Sequence, residues 1–561
     1  MPETASIASV NVALRLSAMA HSAPDRIAVV EPRGSRRGQR RYAHLTFREL
    51  DQDSDHIAAG LRRMGVTPGT RLALLVRPGI DFVSLVFALF KAGAVAILID
   101  PGMGRRNLIR CLAEAEPEGF VAIPIAQAVR ALVRRRFPRS RLLVTVGRRW
   151  FWGGVTLAQL RSRPHGPFTS AATKADDPAA IIFTTGSTGP PKGVLYQHGT
   201  FDTQVDEIRD FYGIQPGEVD VPGFPLFGLF NCAMGVTAVI PDMDPSRPAR
   251  VNPAKIVAAI HDWNATQTFG SPAIWNRVGR YCQEKSIRLA SVRRVMSAGA
   301  PVPLHVLDRM KSVIDPAGDV HTPYGATEAL PVASIAASEV LRETAERTRQ
   351  GGGVCVGRRF SRIEWRVIRI VDGPIRRIDD AEVLPPGEIG ELIVRGPQVT
   401  RCYVTRTEAN ATGKIADGPD VWHRMGDAGY LDERDRFWFC GRVAHRVRTP
   451  SGPMYTIPCE AVFNNHADVF RSALVGVGPA GDQRPVIILE PRDRGLVRPV
   501  PARDELLAEI RQLAQTHPHT AAIRDFLLHP SFPVDIRHNV KIFREKLAVW
   551  AARELKRTAT S

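Results

Sequence analysis

A short apolar run, Ala179-Ala180-Ile181-Ile182-Phe183, opens directly into Thr184-Thr185-Gly186-Ser187-Thr188-Gly189-Pro190-Pro191-Lys192-Gly193. The run reads as a buried strand. A strand that ends in hydroxyls, glycines and one lysine is a device for holding phosphate. Glycines let backbone N–H groups approach the oxygens closely. The hydroxyls donate hydrogen bonds, and Lys192 adds a point charge. The Walker spacing G-x-x-x-x-G-K-[ST] is absent from the segment. Read alone, such a loop is also compatible with a polar surface turn, so other segments must decide.

Four further segments do so. Tyr324-Gly325-Ala326-Thr327-Glu328 is one, and Gly387-Glu388-Ile389-Gly390-Glu391-Leu392 is the second. Met425-Gly426-Asp427 followed by Gly441-Arg442 is the third, and Lys541 near the C-terminus is the fourth. Together with the loop, and in this order, they resemble the motifs of the adenylate-forming superfamily of acyl-CoA synthetases, luciferases and adenylation domains. The resemblance covers nearly the whole chain.

The resemblance implies ATP and Mg²⁺ as cofactors and gives residues their roles. Thr184, Thr185, Ser187, Thr188 and Lys192, with Gly186 and Gly189, would cradle the β- and γ-phosphates. Glu328 would coordinate Mg²⁺ and Thr327 would touch the α-phosphate. Gly299, Ala300 and Pro301 match the adenine-edge segment, and Tyr324 would stack on the base. Asp427 would accept from the ribose hydroxyls with Arg442 assisting; an acceptor-only carboxylate suits a vicinal diol. Lys541 would reach from a mobile lid to the reacting oxygens, completing a catalytic set with Thr327 and Glu328. Positioning and electrostatics supply most of such catalysis.

The expected fold is α/β. A chain of 561 residues is too long for one core, so two or more domains are expected. Residues 1–442 would form an N-terminal ATP- and acyl-binding domain. It would contain one α/β sheet over residues 1 to about 175, a second over 181 to about 350, and a β-rich subdomain over about 351–442. Residues 446–561 would form a small α+β lid. Phe47–Met64 carries helical periodicity, and Phe82–Ile99, broken by Lys91 and Gly93, reads as a core helix and strand rather than a membrane span. The seven scattered cysteines lack a C-x-x-C pair, which points to a reducing cytoplasm and away from a disulfide framework or zinc site. No signal peptide is expected. The net charge of +18 is read first as solvated faces of an arginine-rich chain. The second reading is a surface for an acidic partner or anionic lipid. Nucleic acid has no recognition motif here.

Three segments depart from the family pattern. Pro225-Leu226-Phe227-Gly228 places glycine where the family's gate motif has His. We read this as opening an apolar acyl pocket lined by Phe224, Phe227, Leu229, Phe230 and Met234. The hinge position after Gly441-Arg442 is Ala444, with His445 next, and the lysine that commonly follows the hinge is replaced by arginine in Arg446-Val447-Arg448. Pro-Leu-Phe-Gly-Leu-Phe-Asn together with Asp-Ile-Arg-His-Asn-x-Lys-Ile resembles one branch, the β-lactone synthetases of bacterial long-chain olefin biosynthesis.

That branch implies adenylation of a long-chain 2-alkyl-3-hydroxy acid and attack by its own β-hydroxyl. It also implies a thiolase-like condensing enzyme, an NADPH-dependent reductase and a hydrolase-fold lactone decarboxylase as pathway partners. A base must take the hydroxyl proton; His198, His445 and His538 are the imidazoles on or near motif segments. A long-chain fatty-acid–CoA ligase is the alternative activity, and a catalytically silent scaffold is a third reading.

Overall fold

The computed structural model describes residues 9–37, 39–162, 166–184, 189–498, 501–534 and 542–560. Phe47–Arg63 is helical for local reasons. The Thr46 hydroxyl accepts from the Glu49 N–H at 3.2 Å, and the Glu49 carboxylate accepts from the Thr46 N–H at 2.8 Å. This reciprocal cap satisfies two orphan donors. Phe47, Leu50, Ile57 and Leu61 form its buried face, packed on the helix Ile80–Lys91. Lys91, buried in that packing, pairs with Asp51 at 2.7 Å and Asp55 at 2.5 Å. The lysine that interrupts the apolar run is therefore neutralised inside the core. Among the described residues, no helix is long and apolar enough to cross a membrane.

Among the described residues the chain builds two seven-stranded sheets, an eight-stranded sheet and a three-stranded sheet, plus a small hairpin. The first sheet runs in the order Val155–Thr156, Leu142–Thr145, Gly119–Ala122, Arg71–Leu75, Val95–Leu98, Pro178–Phe183, Gly193–Gln197. All its pairs are parallel except the last, where Phe183 lies opposite Gly193. The phosphate-type loop is thus the connection of an antiparallel pair at the edge of a parallel sheet.

The second sheet runs Asp319–His321, Arg294–Ser297, Gln267–Gly270, Val219–Pro222, Thr237–Val239, Ile27–Arg36, Gln39–Thr46. This corrects the expected linear division. The hairpin near the N-terminus pairs with Thr237–Val239, Val29 opposite Ala238, and the first sheet takes its last two strands from beyond residue 175. The antiparallel third sheet also begins earlier than expected, with Tyr324–Ala326 and Ala329–Ser334 joining Val354–Arg359, Arg436–Arg442 and Asp420–Leu431. One apolar cluster runs through these three sheets.

After residue 446 the chain forms a separate α+β body. Val469–Val477, Arg484–Pro491 and Asp525–Leu528 make its sheet, covered by helices Thr456–Asn464, Pro501–Gln515 and Arg544–Thr560. Val447, Phe463, Leu474, Ile487 and Ile510 sit in a core of its own. The guanidinium of Arg544 grips the buried Glu460 carboxylate at 2.7 and 2.8 Å, tying the last helix to the first of this body.

Candidate active site

Asp427 and Arg442 face each other across the antiparallel strands Asp420–Leu431 and Arg436–Arg442. Arg442 Nη1 donates to Asp427 Oδ1 at 2.7 Å and to the Met425 carbonyl at 2.9 Å. The Tyr324 hydroxyl donates to Asp427 Oδ2. Asp427 is buried and lies within a strand, not in a turn. Gly426 adopts φ +65°, and a Cβ there would meet Arg442 Nη2 at 3.1 Å, so glycine both permits the backbone and leaves room for the guanidinium. The Asp427 charge raises the Arg442 pKa, and burial beside that charge raises the Tyr324 hydroxyl well above its ordinary value. Both stay donors across physiological pH, and the carboxylate keeps spare lone pairs for a diol.

A second cluster forms around Glu328. The Tyr403 hydroxyl donates to Glu328 Oε1 at 2.7 Å. Thr400 holds the Glu328 carbonyl with its N–H at 2.9 Å and its hydroxyl at 2.8 Å. Tyr196, from the strand after the phosphate-type loop, donates to the Thr327 carbonyl at 2.7 Å. Lys192 Nζ lies 4.3 Å above the Tyr403 ring, and Lys414 Nζ lies 5.8 Å from the same centroid while donating to the Thr400 carbonyl. Thr184 and Lys192 close the stem of the loop: the Thr184 N–H donates to the Lys192 carbonyl at 3.0 Å, and the Lys192 N–H to the Thr184 hydroxyl at 3.1 Å. Thr185, Gly186, Ser187, Thr188 and Lys541 lie outside the described residues, as does His538. Gly189 follows directly.

The electrostatics of this cluster favour an anion. Burial lowers the Lys192 pKa, with Glu328 opposing and Arg442 assisting. Burial takes the Lys414 ammonium down to about 7. Burial and the neighbouring Lys414 hold His423 well below its ordinary value, its Nδ1 2.9 Å from the Gly413 carbonyl. Cations held in this discomfort are relieved by incoming negative charge. The turn Ala298 to Pro301 follows the strand Arg294–Ser297, with Gly299 at φ +93°.

Sequence reasoning missed Tyr403, Thr400 and Lys414. Tyr403 sits in an irregular stretch, and its bond to Glu328 spans 75 residues, so no local periodicity announces it. Lys414 opens a short strand and reads in sequence as an ordinary solvated lysine.

The expectation for Gly228 needs correction. Gly228 lies in the helix Phe227–Ala233, and a Cβ there would meet Val83 Cγ2 at 3.2 Å and Ile240 Cδ1 at 3.9 Å. The missing side chain accommodates the helix Ile80–Lys91 rather than opening a cavity. Leu229, Phe230 and Met234 are buried in the main core. Asn231 anchors the same helix, donating to the buried Asp220 carboxylate at 2.6 Å. Phe227 stacks on Phe269 at 3.8 Å and Phe224 is exposed.

Ala444 and His445, expected at the hinge, occupy the single turn Val443–His445. His445 Nε2 is 3.3 Å from Glu545 Oε1, yet burial and Arg544 push its pKa down to about 4. Beyond the turn, Arg446 and Arg448 both seize Asp372, at 2.5 and 2.7 Å. Asp372 belongs to the loop after Glu364–Ile368, so these ion pairs join the third sheet to the segment that leads into the C-terminal body. His198 is a core histidine: fully buried, edge-on to Phe90, its pKa lowered by burial to about 4.

The donor set suits Mg²⁺ of one particular kind. Among the described residues no group of three or more His, Cys, Asp or Glu side chains is placed to hold a metal. Mg²⁺ is commonly bound by one or two carboxylates together with substrate phosphates. Glu328, fixed by Tyr403 beside Lys192, offers that single carboxylate at the phosphate loop.

A family model described as AMP-binding enzyme matches residues 16–404. The chain belongs to the AMP-binding enzyme family. This AMP-binding enzyme is 47% identical to the olefin beta-lactone synthetase of Xanthomonas campestris pv. campestris over 97% of its own length and 98% of the relative's. It is also 47% identical to the olefin beta-lactone synthetase of Stenotrophomonas maltophilia, over 98% of this chain and 99% of that one. Its fold matches the amide bond synthetase McbA from Marinactinospora thermotolerans, with a TM-score of 0.76 at 21% identity over 96% and 99% of the two chains. The O-succinylbenzoate coenzyme A synthetase of Bacillus subtilis, solved with ATP and magnesium ion, matches at a TM-score of 0.71 and 20% identity, over 95% of this chain and 98% of that one. The chain is therefore an adenylate-forming, ligase-type enzyme with a large N-terminal part and a smaller C-terminal one.

Proposed function

We propose that this enzyme converts a long-chain 2-alkyl-3-hydroxy acid, with ATP, into a β-lactone, AMP and pyrophosphate. The observation that carries this reading is the 47% identity, along nearly the whole chain, to two olefin beta-lactone synthetases. The paired clusters at Asp427 and Glu328 support the nucleotide half of the reaction.

In the first step the substrate carboxylate oxygen attacks the α-phosphorus of ATP, and the bond to the β-phosphate oxygen breaks. Lys192 and the loop hydroxyls hold the departing pyrophosphate, Asp427 with Arg442 holds the ribose, and Tyr324 carries the base. When bound at Glu328, Mg²⁺ supplies neutralisation of the leaving charge. Thr327, whose carbonyl accepts from the Tyr196 hydroxyl, is assigned to the α-phosphate. Lys541 is assigned to the transferring oxygens.

In the second step the β-hydroxyl oxygen attacks the acyl carbon and its proton passes to water. The bond from acyl carbon to phosphate oxygen breaks and AMP departs. The four-membered ring is strained, but a mixed anhydride drives its closure. An intramolecular nucleophile acts at high effective concentration, so no external thiol is required. His198 is too deeply buried, and His445 too weakly basic, to be assigned the proton. The acyl chain is placed along Phe227 and Phe269, with Phe224 at the entrance. The acid would come from a thiolase-like condensing enzyme and an NADPH-dependent reductase, and a hydrolase-fold decarboxylase would take the lactone, all in the cytoplasm.

The test is mass spectrometry of products from purified enzyme, ATP, Mg²⁺ and a synthetic 2-alkyl-3-hydroxy acid, with and without CoA. A neutral product lighter by one water, with AMP and no CoA, is expected. An acyl-CoA formed only with CoA would replace this reading by a fatty-acid–CoA ligase.

A further inference from the structure

Between Glu118 and Asp176 the sequence contains no acidic residue, while arginines recur at 130, 134, 135, 136, 139, 141, 148, 149, 161 and 163. This stretch surrounds the outer strands of the first sheet, Gly119–Ala122 and Leu142–Thr145, which are parallel neighbours. The helix Pro124–Leu132 follows one strand and the loop 146–154 follows the other.

The helix is pinned to the sheet by Gln127, buried beneath it, whose Nε2 donates to the Phe120 and Val144 carbonyls. Its opposite face carries Ile125, Val129 and Leu132, spaced one helical turn apart or nearly so. Ile125 is 61% exposed and Leu132 82%. The loop lies against the start of the helix, since a Cβ on Gly147 would come within 3.6 Å of Pro124. Trp152 anchors the loop by donating to the Thr145 hydroxyl at 2.9 Å. Trp150 and Phe151 pack on Trp152 but project outward, Phe151 77% exposed.

Exposed apolar side chains are ordinary when scattered; a contiguous set rimmed by one sign of charge marks an interaction surface. Here the charges that the stretch 119–175 contributes to the rim are all cationic. Arg134, Arg135, Arg136 and Arg148 are exposed, and none has a carboxylate partner among the described residues. Arg139 pairs with Glu116 at the border. Trp and Phe beside arginines are the residues that settle at a bilayer interface, the rings at headgroup depth and the cations on anionic lipid.

We infer that the face formed by Pro124–Leu132, Arg134–Arg136 and loop 146–154 docks the enzyme on an anionic lipid surface. A folded acidic protein would be met by the same charge, but the protruding aromatic pair and the exposed apolar helix stripe favour lipid. The C-terminal ends of the parallel strands also carry the phosphate-type loop, which follows Phe183 towards the opposite side of the sheet, four strands from Leu142–Thr145 or roughly 20 Å away. Docking would set the adenylation site close to the bilayer in which long-chain acids partition. The surface itself is independent of which acid is activated.

The experiment is co-sedimentation of the full-length enzyme with sucrose-loaded vesicles of equal parts phosphatidylglycerol and phosphatidylcholine, and of phosphatidylcholine alone, in 0.1 M salt. Binding is expected to the anionic vesicles, weaker by roughly tenfold or more on neutral ones. Trp150→Ala/Phe151→Ala and Arg134→Glu/Arg136→Glu should each lose roughly tenfold in partitioning while keeping the wild-type melting temperature. Failure of the wild type to bind anionic vesicles overturns the proposal. So does equal binding by folded variants, which would assign any affinity to net charge alone. Sedimentation velocity adds a third check: oligomers that the Trp150→Ala/Phe151→Ala variant breaks into monomers would assign the face to a second copy and overturn the lipid reading.

Discussion

The Tyr403 hydroxyl donates to Glu328 Oε1 at 2.7 Å, joining the carboxylate of one motif to an aromatic ring that also carries Lys192 on its face. Burial and the Glu328 charge push the Tyr403 pKa far up, so it remains a donor at every working pH. The ring thereby fixes the spacing between the phosphate-loop cation and the carboxylate assigned to Mg²⁺.

Tyr403→Phe keeps the ring and loses only the hydroxyl. Stability should fall by roughly 1.5–3 kcal/mol, the usual contribution of a hydrogen bond to a charged group. The larger effect should be on metal dependence. Acid-dependent ATP–pyrophosphate exchange should need several-fold more Mg²⁺ for half-maximal rate. A Mg²⁺ titration identical to wild type would detach Tyr403 from the metal site.

Asp427→Asn retains shape and removes charge. A hydrogen bond to a charged group contributes roughly 1.5–3 kcal/mol, so KM for ATP should rise about 10- to 100-fold. KM for the acid should change little. Initial rates with each substrate varied in turn distinguish this from general damage, in which both constants would drift together.

Lys414 makes stability depend on pH. Its pKa is about 7 in the folded protein and 10.5 when unperturbed. Between these values the unfolded chain holds the extra proton, so stability from this group rises with pH across that window. Below about pH 7 both states are protonated and the full cost of burying the cation is present. Lys414→Met removes that cost, of the order of a few kcal/mol, against a lost bond to the Thr400 carbonyl. The variant's advantage in urea unfolding should be largest at pH 6.5 and shrink by pH 9.5. A difference independent of pH would show that Lys414 is not buried as a strained cation.

Asp372 is exposed, so its ion pairs with Arg446 and Arg448 should contribute less than about 1 kcal/mol to folding. Their effect should be local. Asp372→Asn should accelerate tryptic cleavage after Arg446 and Arg448 several-fold with an unchanged melting temperature. Cleavage at the wild-type rate would mean these ion pairs do not restrain that segment.

What was legible in the sequence followed from short-range physics. The strand before the phosphate-type loop and the helix starting at Phe47 emerge where an apolar run and a helical period act within a few positions. Long-range pairing was not legible. Nothing local says that Val29 will lie beside Ala238, or that the third sheet will start at Tyr324. The same limit explains the site. Asp427 and Arg442 stand in recognisable motifs, whereas Tyr403 and Asp372 acquire meaning only from partners 75 and 74 residues away. Gly228 shows the converse hazard: an absent side chain suggested space, and Val83 fills it.

Asp427 and Arg442 meet because they are cross-strand partners, on strands joined by the tight connection after Leu431. The pairing is not regular: Ala428 lies opposite Gly441 but Gly429 lies opposite Phe439, so Cys440 is the extra residue of a bulge. Side chains alternate faces along a strand, so Arg442 shares a face with Asp427 only because that extra residue is present. Lengthening the connection after Leu431 would leave the pair intact, whereas losing the one bulged residue would turn Arg442 away from the carboxylate.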